Sequence, residues 1–186
     1  EGNVGSNIGN SSATTPTQIQ VSNMTLRNTV AYGGFSLDRV SSAYFNNVKF
    51  QGSFASGGSD VATSKGVTVN HSNATYSTTN IVFNQCQFTK FARLVDLSFN
   101  ATNIRFQACD FTTGLYGALI GAEMDGSTAG LTDGPRDIQF TSSSWSNIGQ
   151  QAILVSPKTG TTGGAGPRHI VSPVSYTHLR AHETVR

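Results

Sequence analysis

The chain's two cysteines, Cys86 and Cys109, are the first residues able to do chemistry, and they stand at matching points of two nearly identical phrases. "NIVFNQCQF" covers 80–88 and "NIRFQACDF" covers 103–111. Paired thiols could bind zinc, but that needs two further ligands, and none is positioned beside them. The second group is acidic: Asp96, Asp110, Glu123 and Asp125. Carboxylates on one outer face could cleave a polysaccharide. Hydrolysis needs two of them about 5–9.5 Å apart; elimination needs a calcium cluster with a basic residue. Arg93 and Arg105 could ion-pair with these acids in a purely structural role. No metal or cofactor site is expected.

Whether such groups meet depends on the elements that carry them. The cysteine phrase belongs to a wider set built on four apolar sites, the first, third, sixth and eighth. "IQVSNMTL" supplies Ile19, Val21, Met24 and Leu26; "AYFNNVKF" supplies Ala43, Phe45, Val48 and Phe50. The cysteine phrases supply Ile81, Phe83, Cys86, Phe88 and Ile104, Phe106, Cys109, Phe111. "IQFTSSSW" supplies Ile138, Phe140, Ser143 and Trp145, and a sixth copy starts at Ile170, where "GPRHI" echoes the earlier "GPRDI". The starts at 19, 43, 81, 104, 138 and 170 lie 24, 38, 23, 34 and 32 residues apart.

Apolar–polar alternation marks strands, and the residue skipped after the third site predicts a bend between two short ones. A strand phrase recurring at this spacing predicts an all-β parallel β-helix, a solenoid of about five to six coils. Like positions would stack into ladders about 4.8 Å apart, each coil burying the apolar face of the next. A third strand is expected seven to nine residues past the last aromatic site, with Val95 and Leu97, then Ala118 and Ile120, then Ala152 and Leu154 facing inward. "GGSDVATSKG", "DGSTAGLTDGP" and "KTGTTGGAGP" read as exposed loops. Asn80, Asn103 and Asp137, just before their phrases, suit tight corners. On an in-register ladder the cysteines should be adjacent, and parallel strands hold them side by side rather than in a disulfide torsion. Buried, reduced thiols packing as small apolar groups are expected.

The composition fits: 12% of residues are charged, 37% are hydrophobic, and the net charge is only +2. No basic cluster interleaves with aromatics, so nucleic acid is not an expected partner. No apolar run is long enough to span a membrane. The five N-x-S/T triplets, at Asn10, Asn23, Asn70, Asn73 and Asn100, arise by chance in a chain this rich in Ser, Thr and Asn. The chain begins without Met and without a signal-peptide pattern, and is expected to be an internal piece of a longer protein.

Residues 1–18 read as an irregular lead-in, 19–171 as the β-helix domain and 172–186 as a non-native tail. "SPVSYTHLRAHETVR" abandons the phrase abruptly and resembles the translated sequencing-adapter read-through found at the ends of metagenome-derived sequences. It is excluded from fold reasoning, together with the metal-like spacing of His178 and His182. Without it the charges are 10 basic against 9 acidic.

The phrase, the Asn/Ser/Thr-rich turns and "TTGLYGALIGAEM…PRDIQFTSSSWSNIGQQAILV" resemble the right-handed parallel β-helices of the pectin-lyase-like superfamily, most of all those of bacteriophage tail spikes and tail-fibre-associated virion proteins. The resemblance covers about 19–171 and is one of fold. Signatures of polygalacturonases ("NTD", "DD", "GHG", "RIK") and of pectate lyases ("WIDH") are missing from the sequence. The resemblance implies a virion or extracellular location, a homotrimer, and a shaft or adhesin contacting host surface polysaccharide. A depolymerase fragment, glycoside hydrolase or polysaccharide lyase, is the alternative, and a bacterial secreted or autotransporter-type adhesin a weaker one. The outward row of the second short strand, Thr25, Lys49, Gln87, Asp110 and Ser144, carries a single acid. Asp96 is expected to face Leu119 and Ile153. With no two acids on one ladder, Asp96, Arg105, Asp110 and Glu123 are assigned to glycan binding rather than catalysis, with Tyr116 as a stacking surface.

Overall fold

A computed structural model describes residues 6–9, 18–27, 34–55, 64–69, 77–121, 134–155 and 168–172. These residues form strands and no helix. In chain order the strands are β1 (Ser6–Gly9), β2 (Ile19–Arg27), β3 (Phe35–Asp38), β4 (Ala43–Gln51), β5 (Lys65–Val69), β6 (Thr78–Asn84), β7 (Gln87–Thr89) and β8 (Arg93–Leu97). There follow β9 (Ala101–Gln107), β10 (Asp110–Gly114), β11 (Tyr116–Ile120), β12 (Arg136–Thr141), β13 (Ser144–Ile148), β14 (Ile153–Val155) and β15 (Arg168–Val171).

The strands divide between two sheets, one of six in the order β1-β3-β5-β8-β11-β14 and one of nine. All the pairings are parallel, and no strand pairs with its immediate successor in the chain. In the nine-stranded sheet β4 bonds β6 with its first half and β7 with its second. Two ladders diverge from it, β6-β9-β12-β15 and β7-β10-β13. Each strand therefore pairs with its equivalent one phrase later, and the in-register apolar sites are what select that pairing.

The bend after the third site is visible in the backbone. Asn23, Asn47, Gln85, Ala108 and Ser142, all at the skipped position, have φ of 55°, 52°, 52°, 50° and 51°. Left-handed φ is costly for residues other than glycine. Here neighbouring strands hold it: Gln85 N–H donates to Gln107 O at 2.8 Å and Ala108 N–H to Thr141 O at 2.9 Å. The second corner, just before the phrase, is also left-handed, with φ of 58° at Asn80, 55° at Asn103 and 57° at Asp137. Its side chains bond across strands rather than to their own backbone. Asn103 Nδ2 donates to Asn80 Oδ1 at 2.6 Å, and His169 Nδ1 lies 3.1 Å from Asp137 Oδ1.

Inside, the third-site row Phe45, Phe83, Phe106 and Phe140 stacks at 4.9, 4.9 and 4.7 Å between ring centroids. The eighth-site row Phe50, Phe88, Phe111 and Trp145 stacks at 5.1, 4.9 and 4.0 Å. The two rows also meet edge-on, for example Phe88 against Phe106 at 5.8 Å. Met24 departs from expectation. It pairs with Val48 but is 47% exposed, because β2 has a bonded neighbour on one side only.

The six-stranded sheet corrects the reading of the third strand. Ala118 pairs with Ile153, and Ile120 with Val155, so the register is one residue away from the expected Ala152 and Leu154. A longer turn after Trp145 causes the slip. β3 and β5 belong to the same sheet and were not anticipated; β5 takes Lys65 and Gly66 from the end of the first proposed loop. Insertions of unequal length before these strands hide their spacing. β1 precedes the first phrase and pairs with β3.

Candidate functional site

Asp96 lies on β8 with Arg93, and strict alternation would put positions 93 and 96 on opposite faces. Leu94 and Val95 both enter the core, so alternation is broken between them and Arg93 comes round to Asp96. Arg93 Nη1 is 3.2 Å from Asp96 Oδ2, and Lys65 Nζ is 3.7 Å from the same oxygen. Ser98 Oγ donates to Asp96 Oδ1 at 3.3 Å. The Asp96 side chain is 0% exposed, so its hydrogen-bonding capacity is committed internally. Burial pushes the Lys65 ammonium below its ordinary 10.5; the Asp96 charge opposes that shift and the Arg93 charge adds to it.

Asp96 pairs with Thr68 on one side and Leu119 on the other, while Ile153 is opposite Ala118. Tyr116 is half-buried and opposite Arg93, which in turn is opposite Lys65. Tyr116 thus starts the strand next to the Asp96 cluster.

Arg105 and Asp110 belong to the other sheet. Arg105 is exposed in a row with Val82 and Gln139. Asp110 is in the row Thr25, Lys49, Gln87, Asp110, Ser144, as read from the phrase, and accepts from Ser144 Oγ at 2.6 Å. Of the two arginines weighed as partners for Asp96, Arg93 fills the role. The described candidates therefore divide between the sheets, Asp96 and Tyr116 on the six-stranded one and Arg105 and Asp110 on separate ladders of the nine-stranded one. Glu123 and Asp125 lie outside the described residues.

A groove of about 340 Å³ opens at the bend of the N-terminal strands and was not anticipated. Asn23, Asn47 and Gln85 line its corner; Thr25, Lys49 and Gln87 line it on the outward row. Asn47 Nδ2 donates to Asn23 Oδ1 at 2.9 Å. The signal in the sequence was the amide at three successive skipped positions.

Cys86 and Cys109 are free, adjacent in register and 0% exposed. They do more than pack. Cys86 Sγ donates to Phe45 O at 3.5 Å and Cys109 Sγ to Phe83 O at 3.3 Å. Ser143 Oγ, the next member of the row, makes the same bond to Phe106 O at 3.5 Å. The hydrogen bond with Cys86, followed by burial, pushes the Cys109 thiol far above the usual range. Among the described residues no three His, Cys, Asp or Glu side chains cluster as metal ligands, and no helix is long and apolar enough to cross a membrane.

Comparison of the chain with protein-family models, curated proteins and solved structures finds no match.

Proposed function

We propose that this chain is a segment of a right-handed parallel β-helix of the pectin-lyase-like type, serving as the shaft of a virion tail spike or surface adhesin that contacts host glycans. The observation that carries this reading is the in-register recurrence of one phrase. Ile104 pairs with Ile81 on one side and Ile138 on the other, and Phe106 likewise with Phe83 and Phe140, in parallel strands along the sheet. A scaffold repeating in this way extends by adding coils and offers a long outer face for a polymer. The chain is rich in Ser, Thr and Asn and only 12% charged, which suits hydroxyl-rich ligands.

On this reading the full-length protein is a homotrimer in the virion tail or outside the cell, and sedimentation analysis tests the oligomer. The functional test incubates it with host surface polysaccharide and measures both binding and new reducing ends or unsaturated sugars. Binding without new ends supports the adhesin. Turnover that disappears when Asp96 and Glu123 become Asn and Gln, with binding retained, replaces it with a depolymerase. Loss of neither binding nor turnover in that double variant removes the two acids from the site. The gene sequence on either side separates a virion protein, with an attachment module upstream, from a bacterial adhesin.

A further inference from the structure

We infer that the groove at the bend is an anion-selective subsite, which takes the acidic group of a negatively charged polysaccharide. This deepens the glycan-binding reading and rests on it. Three coils contribute to the groove, through Asn23 and Thr25, Asn47 and Lys49, and Gln85 and Gln87. Among the described residues that line it, Lys49 carries the one formal charge and there is no carboxylate. The nearest acid on the Lys49 row is Asp110, two strands away beyond Gln87 and already bonded by Ser144. Two strand spacings amount to about 9.5 Å, close to the Debye length at physiological salt, so Asp110 does little to neutralise Lys49.

The remaining polar groups supply donors around that charge. Asn47 gives one N–H to the Asn23 carbonyl, which leaves the Asn23 amide nitrogen as a donor beside the Gln85 and Gln87 amides. An acidic sugar has acceptors for all of them: an anionic group for Lys49, and hydroxyl and ring oxygens for the amides. The left-handed φ values of 55°, 52° and 52° at Asn23, Asn47 and Gln85 set these corners in the backbone and so fix where their amide side chains leave it. Met24, 47% exposed at the rim, offers an apolar surface to the C–H face of a sugar ring. The anion could be a uronate carboxylate or the phosphate of a polyol-phosphate polymer; Lys49 serves both as a point charge.

The test uses calorimetric titration of the intact chain with a hexuronate oligomer, its carboxyl-reduced form, a glycerol-phosphate oligomer and a neutral oligosaccharide of equal length. The hexuronate or the glycerol-phosphate oligomer should bind, more weakly as salt rises, and the better of the two identifies the anion. The carboxyl-reduced and neutral chains should bind at least about tenfold more weakly. Lys49→Gln should lose a similar factor, while Ser146→Ala, on the same sheet and outside the groove, should bind as the parent does. Lys49→Arg, which keeps the charge, should retain most of the affinity and shows that the loss is not one of folding. Equal binding of neutral and acidic chains, or unchanged binding by Lys49→Gln, overturns the anion subsite and leaves glycan binding standing. If none of the four oligomers binds, both readings fall.

Discussion

Phe83 and Phe106 are 23 residues apart in the chain, yet their rings stack at 4.9 Å with only 5° between their planes. Phe106 also stacks on Phe140 at 4.7 Å and meets Phe88 and Phe111 edge-on at 5.8 and 5.7 Å. It is the centre of an aromatic column that cannot close over a gap, because each ring is anchored to its own strand. Phe106→Ala should cost about 3–5 kcal/mol in urea unfolding. A loss below about 1 kcal/mol would show that the column is not a packed unit.

Cys109 and Ser143 are neighbours in one row and make the same bond to a preceding phrase's carbonyl. Cys109→Ser should therefore keep the fold. It should also change the response to alkali. The folded Cys109 holds its proton far above the ordinary 9.0, whereas the unfolded chain releases it near that value. Above pH 9 the unfolded state thus binds fewer protons, and stability falls as pH rises, by up to about 1.4 kcal/mol per pH unit. Below pH 9 the lowered Cys86 pKa works in the opposite sense, so the comparison is made above pH 9, where unfolding curves should be flatter for Cys109→Ser than for the parent. Identical curves would contradict the shift. Two thiols should be counted in denatured, unreduced protein.

Asp96 is fully buried between Arg93 and Lys65. Removing it leaves two largely buried cations facing each other, so Asp96→Ala should cost about 3–5 kcal/mol. Lys65 adds a pH signature of its own. Its folded pKa is depressed, so between that value and 10.5 the unfolded chain binds more protons and this residue makes stability rise with pH. Lys65→Met should remove that rise, as thermal unfolding across the alkaline range can show. A rise that persists in the variant assigns it to another group.

Asn103 has a φ of 55° and donates to Asn80 at 2.6 Å. The two roles separate by substitution. Asn103→Gly keeps the backbone freedom and loses the bond, and should cost about 1 kcal/mol. Asn103→Val loses both and adds a β-branched side chain in a left-handed corner, so it should cost about 1–2 kcal/mol more. Chemical denaturation gives the order; Val as stable as Gly would refute it.

The strands that carry the phrase, their parallel partners and the aromatic rows are all legible in the amino-acid sequence. Each of these follows from local alternation repeated at like positions, so pairing Phe83 with Phe106 needs only the recognition that two phrases match. The adjacency of the two cysteines was legible for the same reason. The six-stranded sheet was less so. β3 and β5 follow insertions of unequal length, and a one-residue difference in the turn after Trp145 shifted the register, so that Ile153 and Val155 pair with Ala118 and Ile120. Which polar residues meet depends on how the strands are placed in space. Arg93 reaches Asp96 because alternation fails at Leu94 and Val95, and Lys65 joins them from a strand 28 residues earlier in the chain. Asn23, Asn47 and Gln85 make a groove because three bends align across parallel strands. Apolar sites repeat because each must face the same core, and repetition can be read in one dimension. Polar contacts form wherever a strand departs from its pattern, and a departure acquires a partner only in three dimensions.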